Sequence, residues 1–315
     1  MALRVFGVHN VIEVAPLLYA VDKMSGGTQR VEHGGVPHLI GKGHLLQAAA
    51  GVPGAIIREQ LLPENSGGAD VATNAETQAL RMSLERPDIR IILQVAEGLY
   101  RIVGRRSAGI SSVRDLAGKR VGTFPRTSAA FYLFKELEHA GLAESDVQMV
   151  NMAPAMELSK AMIAGDLDAI AIWEPASQQA LDHFGSDAIV LQTPGLYVER
   201  FNLNTTADKL ANPETRREIV ALVRALIDAC KHITEHPEDV WPLSHRTNGY
   251  DMDLLKACWP HHRWVATMTP GVLLDVLEDE ERWIAATEGD GRAPRSRDEL
   301  ATLIDDSVYR EAVGA

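Results

Sequence analysis

Three short stretches of the sequence place polar side chains at the start of a predicted helix. They are residues 9–13, 73–77 and 123–128. Each follows a short apolar run that predicts a buried strand, and in open parallel α/β sheets ligands bind beyond the carboxyl ends of the strands. At the start of a helix the backbone N–H groups are unpaired and the helix dipole favours negative charge. These stretches therefore predict a binding site for a small anionic molecule.

The third stretch carries the most chemical information. Its sequence, TFPRTSA, places the permanently charged, forked guanidinium of Arg126 beside the hydroxyl groups of Thr127 and Ser128. Together these groups could hold a sulfonate, a carboxylate or a similar head group. An equally weighted alternative is that Thr127 or Ser128 only caps its helix while Arg126 stays in solvent.

A large aromatic side chain, Trp173, ends another buried strand in the sequence AIAIWEPAS and is followed by Glu174. An indole at the mouth of a sheet can form one wall of a ligand slot. Taken alone, an aromatic at such a position more often packs between two parts of a protein.

Signatures of common catalytic and metal sites are missing from the sequence. No G-x-S-x-G, Walker, G-x-G-x-x-G or H-E-x-x-H pattern occurs. His33, His38 and His44 lie close in sequence without the spacing of metal ligands, so loop histidines are favoured over a metal site or a catalytic base. The adjacent pair His261 and His262 has the same interpretation. We expect no metal ion and no cofactor.

The composition is that of a globular protein long enough for two α/β lobes. The 315 residues are 46% hydrophobic and 23% charged, with a formal net charge of −12. Nucleic acid and anionic membranes select basic surfaces, so neither is expected as a partner. The two cysteines, Cys230 and Cys258, have no metal-like spacing and indicate neither a disulfide framework nor a zinc site.

The N-terminal sequence predicts a core strand at residues 3–8 instead of a charged segment, an apolar run and a cleavage site. No run approaches the roughly 18 to 20 apolar residues that span a bilayer. If the protein is exported, its signal is absent from this sequence, and the alternative is a cytoplasmic protein.

Predicted strands and helices alternate along the chain, which favours parallel sheet flanked by helices. Asn74 is predicted to cap one helix and Ser128 to open another, and residues 213–236 predict a long amphipathic helix. Residues 100–105 and 197–203 are extended runs.

Several longer motifs follow one another in a recognisable order. They are LRVFGVHNVIEVAPLLYAVDK, GGADVATNAETQALR, ISSVRDLAGKRVGT, LEHAGLAESDVQMV, AMIAGDLDAIAIWEP and YVERFNLNTTADKLANPE. Their order and spacing resemble the nitrate/sulfonate/taurine class of substrate-binding proteins of ABC importers. That class has the type II periplasmic-binding-protein fold and is grouped with the thiamine-pyrimidine synthases in one superfamily.

The resemblance implies a two-lobed α/β fold in which each lobe is a mostly parallel sheet flanked by helices. Residues 1–104 and 203–315 would form lobe 1 with the C-terminal helices, and residues 105–202 would form lobe 2. The runs at 100–105 and 197–203 would cross between the lobes as a hinge. The protein would be a non-enzymatic, monomeric receptor in the periplasm or on the outer face of the membrane. Its partners would be a small anionic ligand and an importer permease.

The family pocket can be transferred to this chain by position. It would consist of ten residues: His9, Asn10, Thr73, Asn74, Thr123, Arg126, Thr127, Ser128, Trp173 and Glu174.

Two enzyme branches of the same fold provide the alternative function, a cytoplasmic enzyme or ligand sensor. The aromatic-sulfinate desulfinases carry a nucleophilic cysteine where this sequence has Val11, and the pyrimidine synthases carry a cysteine-rich motif that is missing here. Without a thiolate neither chemistry has its obvious agent. Residues 25–68 also depart from the family pattern. Because Glu13 and Glu76 are acidic, a zwitterionic or cationic ligand is an alternative to the anion.

Overall fold

Two β-sheets, each flanked by helices, form the framework of the protein. The structure is a computed structural model that describes residues 3–40, 68–152, 154–288 and 291–315. His44 and the rest of residues 41–67 lie outside the described residues. The strands are β1 (Val5–Gly7), β2 (Glu32–His33), β3 (Val71–Ala75), β4 (Ile89–Gly98), β5 (Arg101–Arg105), β6 (Arg120–Thr123), β7 (Gln148–Asn151), β8 (Ala169–Ile172), β9 (Ala188–Leu191), β10 (Glu199–Thr206) and β11 (His262–Thr267).

Twelve α-helices occur in the described part of the chain, and those that begin at Ser128 and Pro213 start where the sequence predicts. The helices are α1 (Ala15–Ser25), α2 (Glu76–Met82), α3 (Ser128–Ala140), α4 (Ala155–Ala164), α5 (Ala176–Phe184), α6 (Ala207–Ala211), α7 (Pro213–Glu235), α8 (Trp241–Asn248), α9 (Met252–Cys258), α10 (Pro270–Glu288), α11 (Arg297–Ala301) and α12 (Ser307–Val313). The long helix α7 begins as predicted at Pro213, because the Asn212 side chain accepts hydrogen bonds from two backbone N–H groups of its first turn.

The first sheet has the strand order β11-β4-β10-β3-β1-β2. Strand β1 pairs in parallel with β2 and β3, whereas β10 is antiparallel to both β3 and β4, and β11 is antiparallel to β4. Strands β1 to β4 therefore share one direction, which agrees with the predicted mostly parallel sheet. Helices α1 and α7 pack on each other, and α12 packs on α7, so the C-terminal helices lie with this sheet.

The second sheet has the order β7-β6-β8-β5-β9. Strand β6 is parallel to β7 and β8, and β5 is antiparallel to β8 and β9. This gives two sheets with separate apolar cores, joined where the chain leaves β4 for β5 and where it returns from β9 to β10.

The strands that were expected to cross between lobes each belong to one sheet. Strand β5 pairs only with strands of the second sheet, and β10 only with strands of the first. The chain changes sheet in the connections 99–100 and 192–198, a few residues before the expected boundaries at 104 and 202. The physical reason is that each strand is hydrogen-bonded to neighbours on both sides, so the short connections are the segments left to pass between sheets.

Asn74 does not cap a helix as predicted. Strand β3 continues through Ala75, with Asn74 opposite Asn202 of β10, and α2 begins only at Glu76. The antiparallel partner keeps the backbone extended past the point where the local sequence favours a helix start.

No helix in the described part of the chain is both long and apolar enough to cross a membrane.

Candidate functional site

The three predicted strand-end stretches meet at one cavity of about 90 Å³ between the two sheets. The segments that follow β1, β3 and β6 all contribute to its lining, as expected for the carboxyl ends of neighbouring strands. Five of the ten predicted site residues lie in the lining: Asn10, Asn74, Thr127, Ser128 and Trp173.

The start of α3 forms one side of the cavity. Its N-cap residue, Thr127, donates its hydroxyl hydrogen bond to the carbonyl oxygen of Phe124 at 2.7 Å, so the side chain does not cap the helix. The hydroxyl oxygen of Ser128 lies 2.8 Å from that of Tyr100. The first N–H groups of α3 are thus left without side-chain caps beside the lining.

Three other predicted residues, Thr73, Thr123 and Glu174, are buried and lie outside the lining. The Thr123 hydroxyl donates to the carbonyl of Ala171 at 3.0 Å and holds β6 to β8, and Thr73 is buried within β3. Glu174 is buried, where its carboxylate accepts a 3.0 Å hydrogen bond from Arg101 Nε and another from the backbone of Gln178.

Arg126, predicted as the cation that grips an anion, turns to a different partner. Its backbone adopts φ 59°, a left-handed conformation that non-glycine residues seldom adopt, and its Nε lies 2.8 Å from Glu288 Oε2 at the end of α10. Gln78 donates to the carbonyl oxygen of Arg126 at 3.0 Å. The structure does not bring the Arg126 side chain into the lining.

His9 packs against His33, with ring centroids 4.8 Å apart. Burial first, and then the positive charge of His33, lower the pKa of His9 from 6.5 to about 4. Its imidazole is therefore neutral at physiological pH. His9 supplies no positive charge to the neighbouring cavity.

Aromatic side chains form the walls of the cavity, and sequence reasoning identified only Trp173 among them. Its ring centroid lies 5.7 Å from that of Phe124 and 6.4 Å from that of Tyr100. Phe201 of β10 also lines the cavity. Tyr100 and Phe201 belong to the extended runs noted in the sequence, where period-two alternation was the available signal.

Two buried carboxyl groups, those of Glu13 and Glu199, share one corner of the lining. Each residue is 2% exposed. A Cβ atom on Gly98 would lie 2.7 Å from Glu199 Oε2 and 3.2 Å from Glu13 Oε1, so both carboxyls lie close to the open side of this glycine. Glu13 was noted in the sequence, but Glu199 was missed.

His262 of β11 supports the first of these carboxyls. Its Nε2 lies 3.3 Å from Glu13 Oε1, and its Nδ1 lies 3.0 Å from the carbonyl oxygen of Cys258. Burial lowers the pKa of His262, but the charge and hydrogen bond of Glu13, the charge of Glu174 and the hydrogen bond to the Cys258 backbone together outweigh this effect, so the net shift is upward. The pair is therefore a buried contact between an imidazole and a carboxyl group.

Residues 59–240 match the family model described as "NMT1/THI5 like". The chain belongs to this family. A relative from Haemophilus influenzae, named for thiamine biosynthesis, is 22% identical over 200 residues, which are 60% of this chain and 61% of that protein. The chain thus matches less than two thirds of that relative's length.

Solved structures share the fold of this NMT1/THI5-like chain. The alkanesulfonate-binding protein SsuA of Xanthomonas axonopodis pv. citri, bound to MOPS, is 19% identical with a TM-score of 0.68, covering 96% of this chain and 97% of its own. The periplasmic nitrate-binding protein NrtA of Synechocystis is 14% identical with a TM-score of 0.71, covering 99% and 89%. The desulfurization enzyme DszB is 14% identical with a TM-score of 0.58, covering 99% of both chains.

The resemblance to nitrate- and sulfonate-type binding proteins is thereby confirmed, as is the periplasmic-binding-protein-like α/β fold. At these identities the likeness shows the fold alone.

Proposed function

We propose that this protein is the solute-binding component of an ABC importer and encloses a small organic molecule between its two sheets. The observation that carries this proposal is the cavity itself. Its lining comes from both sheets, including Asn10 and Asn74 on one side and Thr127 and Trp173 on the other. A molecule held there would be surrounded only when the two lobes approach, and the connections 99–100 and 192–198 are the segments about which they would move.

The relatives support the binding role. SsuA and NrtA are named as binding proteins, and NrtA as periplasmic. We extend this to a location outside the cytoplasmic membrane, a monomeric state and a membrane permease as the partner.

The enzyme alternative has less support from the cavity. Val11, which stands where the desulfinase-like pattern would have its cysteine, lines the cavity, and neither Cys230 nor Cys258 does. Burial raises the pKa of the Cys230 thiol to about 12, and burial together with the charge of Glu174 raises that of Cys258. Both thiols are therefore protonated at neutral pH and unsuited to nucleophilic attack.

The residues of the cavity lining also bear on the class of ligand. The anionic ligand was expected from the three helix starts and from Arg126, and Arg126 pairs with Glu288 instead. Among the described lining residues no Lys or Arg occurs. The cavity supports a compact molecule with an apolar face for the aromatic walls and polar groups for the two carboxyls.

Native mass spectrometry of the protein purified without denaturation, followed by a thermal-shift screen of small solutes, tests the importer role. We expect a bound small molecule that is recovered with unchanged mass, and a smaller radius of gyration in small-angle scattering when it binds. A bound compound that is converted on incubation would instead support the enzyme. Tight binding without compaction would overturn closure around the cavity.

A further inference from the structure

Glu13 and Glu199 each present an oxygen that has no hydrogen-bond partner within the described protein. These atoms are Glu13 Oε2 and Glu199 Oε2, and both residues line the cavity while being 2% exposed. Burying an unpaired carboxyl oxygen is strongly unfavourable, so such groups persist where a ligand or water completes them. Their position in the cavity wall makes a bound solute the natural partner.

Positive charge near this corner is too scarce to neutralise it. His262 reaches Glu13 through Oε1. Arg200, adjacent to Glu199 in the chain, directs its Nη1 to Glu97 at 2.9 Å. With no Lys or Arg in the described part of the lining, the carboxyl pair leaves the cavity with excess negative charge when both groups are ionised.

The aromatic walls complement this electrostatic arrangement. Trp173, Tyr100 and Phe124 lie together in the lining, and the faces of aromatic rings attract cations as well as apolar groups. A cation held by the carboxyl pair would therefore meet favourable surfaces on more than one side.

We propose that the solute is an organic cation, with a compact apolar body against the aromatic walls and a protonated nitrogen that donates hydrogen bonds to Glu13 and Glu199. The proposal rests on the solute-binding function and deepens it by assigning the sign of the ligand's charge. It replaces the anion that the helix starts, Arg126 and the family resemblance suggested.

The carboxyl group of Glu199 holds a proton more strongly than a free carboxyl group does. Burial first, and then the negative charges of Glu13 and Glu76, raise the pKa of Glu199 well above its usual value, while the Gly98 backbone and Arg200 lower it in part. The titratable or charged groups around the carboxyl pair, including those of the lining, are Glu76, Tyr100, Tyr197, Arg200, Tyr250, His262, Glu280 and His33. A protonated nitrogen near Glu199 would take the place of its proton.

Three ring compounds of similar size separate the charge types: benzylamine, which is protonated at neutral pH, neutral benzyl alcohol and anionic benzoate. Thermal shift and calorimetric titration of the whole protein with each compound should rank benzylamine first. Glu199→Gln and Glu13→Gln should each reduce its affinity about tenfold or more, because a charge-assisted hydrogen bond becomes a neutral one. The same two substitutions should reduce the affinity for benzyl alcohol much less.

Glu280→Gln is the matched control. Glu280 is a buried carboxyl that interacts with Glu76 and lies outside the lining. This variant should retain the benzylamine preference.

Equal or tighter binding of benzoate, or benzylamine affinity unchanged by Glu199→Gln, would overturn the cation inference and leave the importer role standing. Absence of binding by all three compounds would also count against the cation, whereas the native solute screen tests the importer role separately.

Discussion

The Arg126 guanidinium lies 2.8 Å from the Glu288 carboxylate and joins the loop after β6 to the end of α10. The loop belongs to the second sheet, and α10 packs against α2 beside the first. A second contact, between Lys135 of α3 and Asp279 of α10 at 3.5 Å, joins the same two helical surfaces. Arg126 is therefore part of the contact between the two lobes.

We expect Arg126→Ala to weaken the closed arrangement without removing ligand contacts. The Arg126 side chain is 43% exposed, and exposed ion pairs contribute about 0.2–1 kcal/mol, so affinity should fall by no more than about fivefold. Glu288 keeps its second partner, Arg81, which limits the cost further. Small-angle scattering of the ligand-free variant should show a larger radius of gyration.

Arg297→Ala is the control, because Arg297 is similarly exposed, at 46%, and its partners Asp275 and Glu278 both lie on α10. It should leave affinity and radius of gyration unchanged. A direct contact with a bound anion would be worth about 1.5–3 kcal/mol, so a loss of tenfold or more for anions alone would return Arg126 to the binding site.

Trp173→Ala should weaken solute binding by about 1–3 kcal/mol, since an indole wall of the cavity is lost. Calorimetric titration measures this effect, and thermal unfolding measures the cost to the fold. Trp241→Ala provides a comparison, because Trp241 is also half-buried but packs in the core of the first lobe. A large loss of stability in Trp173→Ala with unchanged affinity would mean that the indole only joins the lobes.

The predicted site residues that lie in the lining are those whose position depends on local pattern. Asn10, Thr127 and Ser128 follow strands that apolar periodicity predicts, and the strand-end rule then brings them together. Trp173 likewise follows a predicted strand, β8. The strand-and-helix alternation was sufficient to predict the α/β fold for the same reason.

The residues that were missed or misplaced depend on partners distant in sequence. Glu199 stands beside Arg200 in an extended run, where two opposite charges suggest an exposed pair. It reaches the cavity only because β10 returns to lie between β3 and β4. Its alternation with Phe201 was the available signal. Arg126 is directed away by a left-handed backbone and by Glu288, neither of which local sequence reveals.

The buried imidazole of His9 should make the protein sensitive to acid. The pKa of His9 is about 4 in the folded protein and 6.5 in a free side chain. Between these values the unfolded chain binds a proton that the folded protein does not, so stability falls as pH decreases from about 6.5 to about 4. We expect the free energy of unfolding of His9→Gln, measured with denaturant, to fall less than that of the wild type across this pH range. His139→Gln, at an exposed site, should follow the wild type, and an identical slope for His9→Gln would show that the imidazole is not held neutral.

Glu199 should have the opposite effect on stability. Because its pKa is raised by burial and by Glu13 and Glu76, the folded protein retains a proton that the unfolded chain releases above about pH 4.5. Its stabilising contribution is complete below that pH and is lost as pH rises through the folded-state pKa, at up to about 1.4 kcal/mol per pH unit.

Glu199→Gln cannot ionise, so it should be more stable than the wild type at pH 8, and the difference should shrink toward pH 5. Glu85→Gln, at an exposed position, should show no such trend. Denaturant unfolding of the three proteins at pH 5, 6, 7 and 8 measures this directly, and parallel curves for Glu199→Gln and the wild type would mean that Glu199 is ionised throughout the range. Wild-type affinity for benzylamine should rise over the same interval, because fewer protons then compete with the ligand for the carboxylate.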